Sequence, residues 1–354
     1  MPPSLSVVIC SLNGASGVAR CLRSLRAQTL SSELEVIVVD DGSTDATSDV
    51  ARAAGATVVR HASRLGPAAA RNTGIKLALA PIVAFLDDDC DPCPEWAEKL
   101  LAAFAPGVIA VGGALCTSDG PGMILSYLER HNPLDPQELN IVRSNTIRFR
   151  FVNYLGRQWM SDRRSGSREV AMLPAANMAV RRRDILQVGG FDDRIEFAAE
   201  DDDLCRRLLR AFPGMRLMYE PEARVVHYFV PSLRDVLRRS RAYGVGSALM
   251  YRKWPEVPPT FFPFPAIVLG LLISSIWFPL LTTAAVLAPH LFYPQGFRAA
   301  VRERRAIFMV DAYLQLLQEA CDNYGFIQGL WRFRRFPPEL SAGPVWPVRA
   351  EKPS

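Results

Sequence analysis

Four short runs rich in Val and Ile, each separated from the next by residues at helical spacing, constrain this chain more than any other feature. Leu5 to Cys10, Glu35 to Asp40, Thr57 to Arg60 and Ile82 to Leu86 read as strands. Between them, Val18 to Gln28, Asp45 to Ala54 and Ala68 to Leu79 read as helices. Strands apolar on both faces need cover on both faces, so the pattern predicts an α/β fold with a parallel sheet between helical layers. Ligands of such sheets sit beyond the carboxyl ends of the strands. Asp40-Asp41 and Asp87-Asp88-Asp89 both fall there and are predicted to line one crevice.

Three carboxylates directly behind Ile82-Val83-Ala84-Phe85-Leu86 repel one another. In a half-buried place that is costly unless a cation or hydrogen-bond donors share the charge. The first acidic knot therefore points to a divalent metal with a phosphorylated ligand. Mg²⁺ or Mn²⁺ suits carboxylates plus phosphate oxygens, and Asp89 is the best direct ligand. A second knot, Glu200-Asp201-Asp202-Asp203, opens a helix predicted over Glu200 to Phe212, with Phe197, Leu204, Leu208 and Phe212 along one face. Acids in a first turn and Arg later complement the helix dipole, and Asp202–Arg206 and Asp203–Arg207 are i,i+4 pairs. That accounts for Asp202 and Asp203 and leaves Glu200 and Asp201 available for chemistry.

Four blocks in this order and spacing resemble the family 2 glycosyltransferases of the GT-A fold. They are Ser6-Val7-Val8-Ile9 with Asn13, Val39-Asp40-Asp41-Gly42-Ser43-Thr44-Asp45, Gly66-Pro67-Ala68-Ala69-Ala70-Arg71-Asn72-Thr73-Gly74, and Phe85-Leu86-Asp87-Asp88-Asp89. The resemblance continues to about His227. It implies a Rossmann-like, mostly parallel sheet and a nucleotide diphosphate sugar donor. Asp41, beside Asp40, would read the nucleotide base, and Arg71 would approach the nucleotide. Asp87, Asp88 and Asp89 would hold the ribose and the metal-bound diphosphate. It also implies Asp201 as general base with Glu200 orienting it, His227 near the diphosphate or metal, and Asn177 on the acceptor side. The family mechanism is a single displacement with inversion. Crowding among four acids would raise the proton affinity of Asp201.

With 354 residues, 49% hydrophobic and 22% charged, the chain can hold one large α/β domain and an appendage. The appendage is marked by Phe261 to Tyr293, which contains no Asp, Glu, Lys or Arg and exceeds the ~20 residues that cross a bilayer as a helix. Pro279 near its middle leaves a bent hairpin and one long tilted span as alternatives. The run is flanked by Arg234, Arg238, Arg239, Arg241, Arg252 and Lys253 before it and Arg298, Arg302, Arg304 and Arg305 after it. That arrangement suits an anionic membrane surface and not nucleic acid, and it keeps both flanks cytoplasmic. The expected division is residues 1–230 as the GT-A domain, 231–260 as a basic amphipathic connector, and 261–293 as the membrane-embedded segment. An amphipathic surface helix over 294–336 and a disordered tail over 337–354 complete it.

The seven cysteines are scattered and Met1-Pro2-Pro3-Ser4 leads straight into a strand, so a reduced cytoplasmic compartment is expected. Cys90 and Cys93 have no second pair or His pair, which disfavours zinc. The leading expectation is a metal-dependent, inverting transferase acting on a saccharide or lipid-linked envelope acceptor at the cytoplasmic membrane face. A non-catalytic nucleotide-sugar-binding scaffold and a nucleotidyltransferase are the alternatives. The first is disfavoured by the intact acids, the second by the lack of a Gly-rich, Lys-containing loop near the first strand.

Overall fold

In the computed structural model, which describes residues 2–118, 120, 122–136, 147–159, 166–195, 198–254 and 256–338, the predicted strands pair in parallel. β1 (Leu5–Ser11) lies between β2 (Leu34–Asp40) and β4 (Ile82–Asp87), and β3 (Thr57–Arg60) adds outside β2. The helices α1 (Ala15–Arg26), α2 (Thr47–Ala53) and α3 (Pro67–Leu77) make the crossovers. Alternate residues of one strand enter two separate cores: Val8, Ile37, Val39 and Phe85 on one face, Val7, Ile9, Val38 and Leu86 on the other. The strand order 3-2-1-4 places the topological switch point between β1 and β4, and the first acidic knot sits at its mouth.

Beyond β4 the sheet becomes mixed, which corrects the expectation of a mostly parallel one. The further elements are β5 (Cys90–Pro92), α4 (Trp96–Ala102), β6 (Val108–Thr117), α5 (Met123–Arg130), α6 (Ile147–Trp159), β7 (Arg168–Val170), β8 (Asn177–Arg181), α7 (Arg182–Gln187), α8 (Glu200–Ala211) and β9 (Arg216–His227). β8 runs antiparallel to both β4 and β6, and β9 is parallel to β6 but antiparallel to β5 and β7. β9 runs unbroken through Pro221. A register shift between Gly113 and Leu115 of β6 absorbs Pro221, which has no N–H to give.

The C-terminal third is helical. α9 (Leu233–Lys253) starts at Ser232, whose hydroxyl accepts from Asp235 N at 3.1 Å. The uncharged run forms α10 (Pro263–Ser274) and α11 (Leu280–Phe292), so no single long span exists. Phe264 at the start of one helix stacks on Phe292 at the end of the other, 4.1 Å between ring centroids, which makes the pair a hairpin. Among the described residues no helix is long and apolar enough to cross a membrane.

One further expectation is corrected here. The stretch 294–336 is α12 (Pro294–Glu303), a 3-10 turn (Ala306–Val310) and α13 (Asp311–Arg332), because Arg304 takes a left-handed φ of 53° that ends the first helix. In the connector 231–260, Arg234, Arg238, Arg241 and Arg252 are exposed, while Lys253 is fully buried in an ion network. Of the expected tail 337–354, residues from 339 onward lie outside the described residues.

α9 and α13 approach until their backbones touch. A Cβ at Gly244 would lie 2.0 Å from the Asp322 carbonyl oxygen, and one at Gly325 2.0 Å from that of Arg241. Gly244→Ala must push the two helices apart, and overpacking of this kind costs about 1–3 kcal/mol. Thermal unfolding of Gly244→Ala is expected at a clearly lower midpoint than wild type. Gly270→Ala, where a Cβ meets nothing within 4 Å, should unfold no earlier than wild type.

Candidate active site

One guanidinium joins the two acidic knots. Arg71 on α3 donates from Nη2 to Asp87 Oδ1 at 2.9 Å and from Nη1 to Glu200 Oε1 at 2.8 Å. Burial works against its charge, but Asp87 and Glu200 more than offset that and raise its pKa, so the guanidinium stays charged. Glu200 is nearly as buried, and its Oε2 has no hydrogen-bond partner. A group expected to approach a nucleotide therefore ties the end of β4 to the start of α8, where Glu200 lies 129 residues from Arg71 in sequence.

The acids at the strand ends divide by what they already hold. Asp40 is fully buried; it accepts from Ser43 N at 2.7 Å and from the Ser48 hydroxyl, and these bonds, against burial, hold its pKa below the usual range. It shapes the turn and does not face the crevice. Asp41 accepts from His61 Nδ1 at 2.7 Å, Leu65 N at 2.9 Å and Gly66 N at 2.8 Å, so it fixes the loop that leads into α3. Asp88 turns towards β1 and accepts from the Ser11 hydroxyl. Burial, with the neighbouring acids, pushes the Asp88 and Asp89 carboxyls up to about 7.

Asp89 faces His227 at the end of β9, 3.5 Å from its Nε2. Ligand atoms of Asp89, Cys90 and His227 lie within 4.8 Å of one another. Burial lowers the pKa of His227 to about 4, so the imidazole is neutral, and its Nδ1 is buried without a hydrogen-bond partner. A carboxylate beside a neutral imidazole fits Mn²⁺ or Mg²⁺, and a cation would relieve the crowding that raises the acids. Cys90 does not fit such an ion as a thiolate, because burial raises its pKa well above the usual thiol value.

The second knot begins on a strained turn. Ala198 and Ala199 both have left-handed φ angles, 59° and 89°, which alanine adopts only under tertiary constraint. Asp201 then accepts from Ala175 N at 3.2 Å and Asp202 N at 2.9 Å. Burial, with Glu200 beside it, raises the Asp201 carboxyl to about 7. Asp202 pairs with Arg206 at 3.0 Å and Asp203 with Arg207 at 2.8 Å, the helix pairs that the spacing predicts. Asn177 is not on a ligand-facing surface. Its amide accepts from Trp96 Nε1 at 2.8 Å and donates to the carbonyls of Ala114 and Ala223, so it pins β8 to its neighbours.

Sequence reasoning missed the group that grips α8 from behind. Lys253 Nζ lies 2.6 Å from both Asp192 Oδ2 and Asp203 Oδ1, and Trp254 Nε1 donates to Asp203 Oδ1 at 3.0 Å. At Gly246 of α9 a Cβ would sit 2.7 Å from the Ala198 carbonyl oxygen, so the helix rests directly on the strained turn. Lys253 and Asp192 are 61 residues apart, and no local pattern joins them. Ser11, the partner of Asp88, was equally silent as the last residue of an apolar strand.

Known proteins share the family and the fold. A family model described as "Glycosyl transferase family 2" matches residues 6–186, more than half of the chain, and another, "Glycosyl transferase family group 2", matches residues 137–300. The chain belongs to glycosyl transferase family 2. It is 34% identical over 268 residues to a pre-mycofactocin glycosyltransferase of Mycobacterium tuberculosis, a match covering 72% of this chain and 50% of that protein. It is also 38% identical over 118 residues to the glycosyltransferase AglE of Haloferax volcanii, covering 31% and 39% of the two chains. The chain thus spans about half or less of the length of these curated relatives. Among solved structures, the mannosyltransferase PcManGT of Pyrobaculum calidifontis, in complex with GDP-Man and Mn²⁺, aligns with a TM-score of 0.57 at 19% identity. That alignment covers 94% of this chain and 88% of that one, and it shows the GT-A fold.

Removing the bridge tests how far the site depends on it. Arg71→Met leaves Glu200 buried beside Asp201 without its cation, and breaking such a pair costs about 3 kcal/mol. The variant is expected to unfold at lower denaturant and to lose transfer, whereas Arg206→Met, which breaks only the outer helix pair, should cost below about 1 kcal/mol in the same titration.

Proposed function

We propose that this chain transfers a sugar, with inversion, from a nucleotide diphosphate sugar to a hydroxyl of a saccharide or lipid-linked envelope acceptor. We place the reaction at the cytoplasmic face of the membrane. The observation that carries the reading is the Arg71 bridge, which ties Asp87 to Glu200 and so holds the strand-end acids beside Asp201, the neighbour of Glu200, whose proton affinity burial raises.

On the donor wall, the loop that Asp41 organises through Leu65 N and Gly66 N forms the base-binding side, and Asp87 and Asp88 face the ribose and diphosphate. A divalent cation, Mn²⁺ or Mg²⁺, held by Asp89 and His227 would neutralise charge on the leaving diphosphate. The solved PcManGT complex contains Mn²⁺ beside GDP-Man, which supports a metal of this class. On the acceptor wall, Asp201 takes the proton of the attacking hydroxyl as the new glycosidic bond forms at the anomeric carbon and the bond to the diphosphate breaks. The backbone N–H groups of Ala175 and Asp202 fix the carboxylate for that transfer, and Glu200 is held against Arg71 beside it.

Asp201→Asn is expected to keep donor affinity and to lower kcat by about 10²–10⁴, the usual contribution of a positioned base. Calorimetric titration of the nucleotide sugar and initial rates separate the two effects; a large loss of donor affinity would remove Asp201 from the role. Because the carboxylate form is the active one and its pKa is raised to about 7, kcat should rise as pH climbs through about 7. A profile already level well below that value would contradict the assignment. Asp89→Ala and chelation are each expected to abolish donor binding in the same calorimeter.

A further inference from the structure

The tip of the α10–α11 hairpin exposes Ile276 (73%), Trp277 (70%), Phe278 (66%) and Leu280 (87%) side by side. No Asp, Glu, Lys or Arg accompanies them from Phe261 to Tyr293, and His290 lies at the far end of the second arm against the Tyr313 hydroxyl. We infer that this hairpin is a one-sided wedge that enters a single leaflet of an anionic bilayer and does not cross it. The inference deepens the membrane location proposed above and rests on it.

Length comes first. At 1.5 Å per residue, helices of 12 and 13 residues are roughly 18 and 20 Å long, against a hydrocarbon core of about 30 Å. Each arm therefore matches one leaflet, of about 15 Å, and falls well short of two.

Most N–H groups of the tip are also bonded within it. Lipid offers no partner to a backbone group, so a turn buried there must satisfy itself. Ser275 N donates to Leu271 O, Ile276 N to Ile273 O, and Trp277 N and Phe278 N both to Ser274 O. Leu281 N and Thr282 N donate to Phe278 O and Pro279 O, and the Ser275 hydroxyl donates to Leu272 O at 2.7 Å. The polar side chains beside this tip are four uncharged hydroxyls, Ser274, Ser275, Thr282 and Thr283, so a protein partner would find no charged rim there.

The opposite end of the hairpin has the reverse character. Asn323 of α13 holds both Phe262 N and Phe262 O at 2.8 Å, and Tyr293 donates to Glu319 at 2.6 Å. These buried polar bonds seat the hairpin base rigidly in the protein. Alongside, α12 exposes Phe297 and Val301 on one face, with Arg302, Arg304 and Arg305 exposed at its end. Apolar residues next to exposed guanidinium groups suit the headgroup layer of an anionic leaflet.

The test uses the full chain and vesicles of phosphatidylcholine with or without about one-third phosphatidylglycerol. Wild type is expected to co-sediment with the anionic vesicles, and Trp277→Asp/Phe278→Asp to bind at least tenfold more weakly. Nucleotide-sugar titration without lipid should be equal for the two proteins, which shows that the variant is folded and examines the transferase reading separately. A Trp277→Cys variant bound from outside should stay unlabelled by an impermeant maleimide trapped in the vesicle lumen. Equal sedimentation of wild type and the double variant would overturn the wedge, as would labelling from the lumen. Failure of wild type to bind vesicles while eluting as a dimer that the double variant loses would assign the tip to a second copy of the chain instead.

Discussion

Arg71 holds this structure's two chemical halves together. One half, from β1 to β4, is a doubly wound sheet that could bind a phosphorylated ligand by itself. The other, the turn before α8, presents Glu200 and Asp201. Neither half fixes the distance to the other through its own backbone, because they are far apart in sequence. A planar cation with two parallel donors supplies that distance, and its burial means that neither carboxylate can leave without exposing an unpaired charge. The cost of desolvating the guanidinium is offset only while both acids stay in place, so the bridge favours one geometry of the crevice over its neighbours.

The helices behind the site serve the same geometry from outside. α9 lies against α13 through glycines, rests on the Ala198–Ala199 turn through Gly246, and ends in Lys253 and Trp254, which grip Asp203. The C-terminal helices therefore form the rear wall of the turn that carries Glu200 and Asp201, and a continuous packed path leads from the hairpin base through Asn323 and α13 to that turn.

Much of this was legible in the residues. The uninterrupted apolar runs, and the acids at Asp40-Asp41 and Asp87-Asp88-Asp89 behind two of them, pointed to the parallel half of the sheet and the place of the crevice, because those signals are local. The hairpin was one of two readings of Phe261 to Tyr293, and Pro279, at the head of α11, marks where the chain bends. What escaped was non-local. β8 runs antiparallel because of the chain path between β6 and α8, and nothing in Asn177-Met178-Ala179-Val180-Arg181 encodes its direction. The resemblance alone put Asn177 on the acceptor side, and its sequence could not show which strands its amide joins. Lys253 read as a surface cation for the same reason; only the fold shows the two carboxylates that meet it.

The left-handed pair Ala198 and Ala199 bears on how the protein would respond to stabilising engineering. Glycine at either position would relieve a backbone penalty of about 1 kcal/mol or more. It would also free the turn in the unfolded and the folded chain alike. The methyl groups therefore hold Asp201 at an energetic disadvantage that a search for thermostable variants would readily remove, loosening the carboxylate it was meant to preserve. Robustness and precision pull against each other at these two residues, and the chain has retained precision.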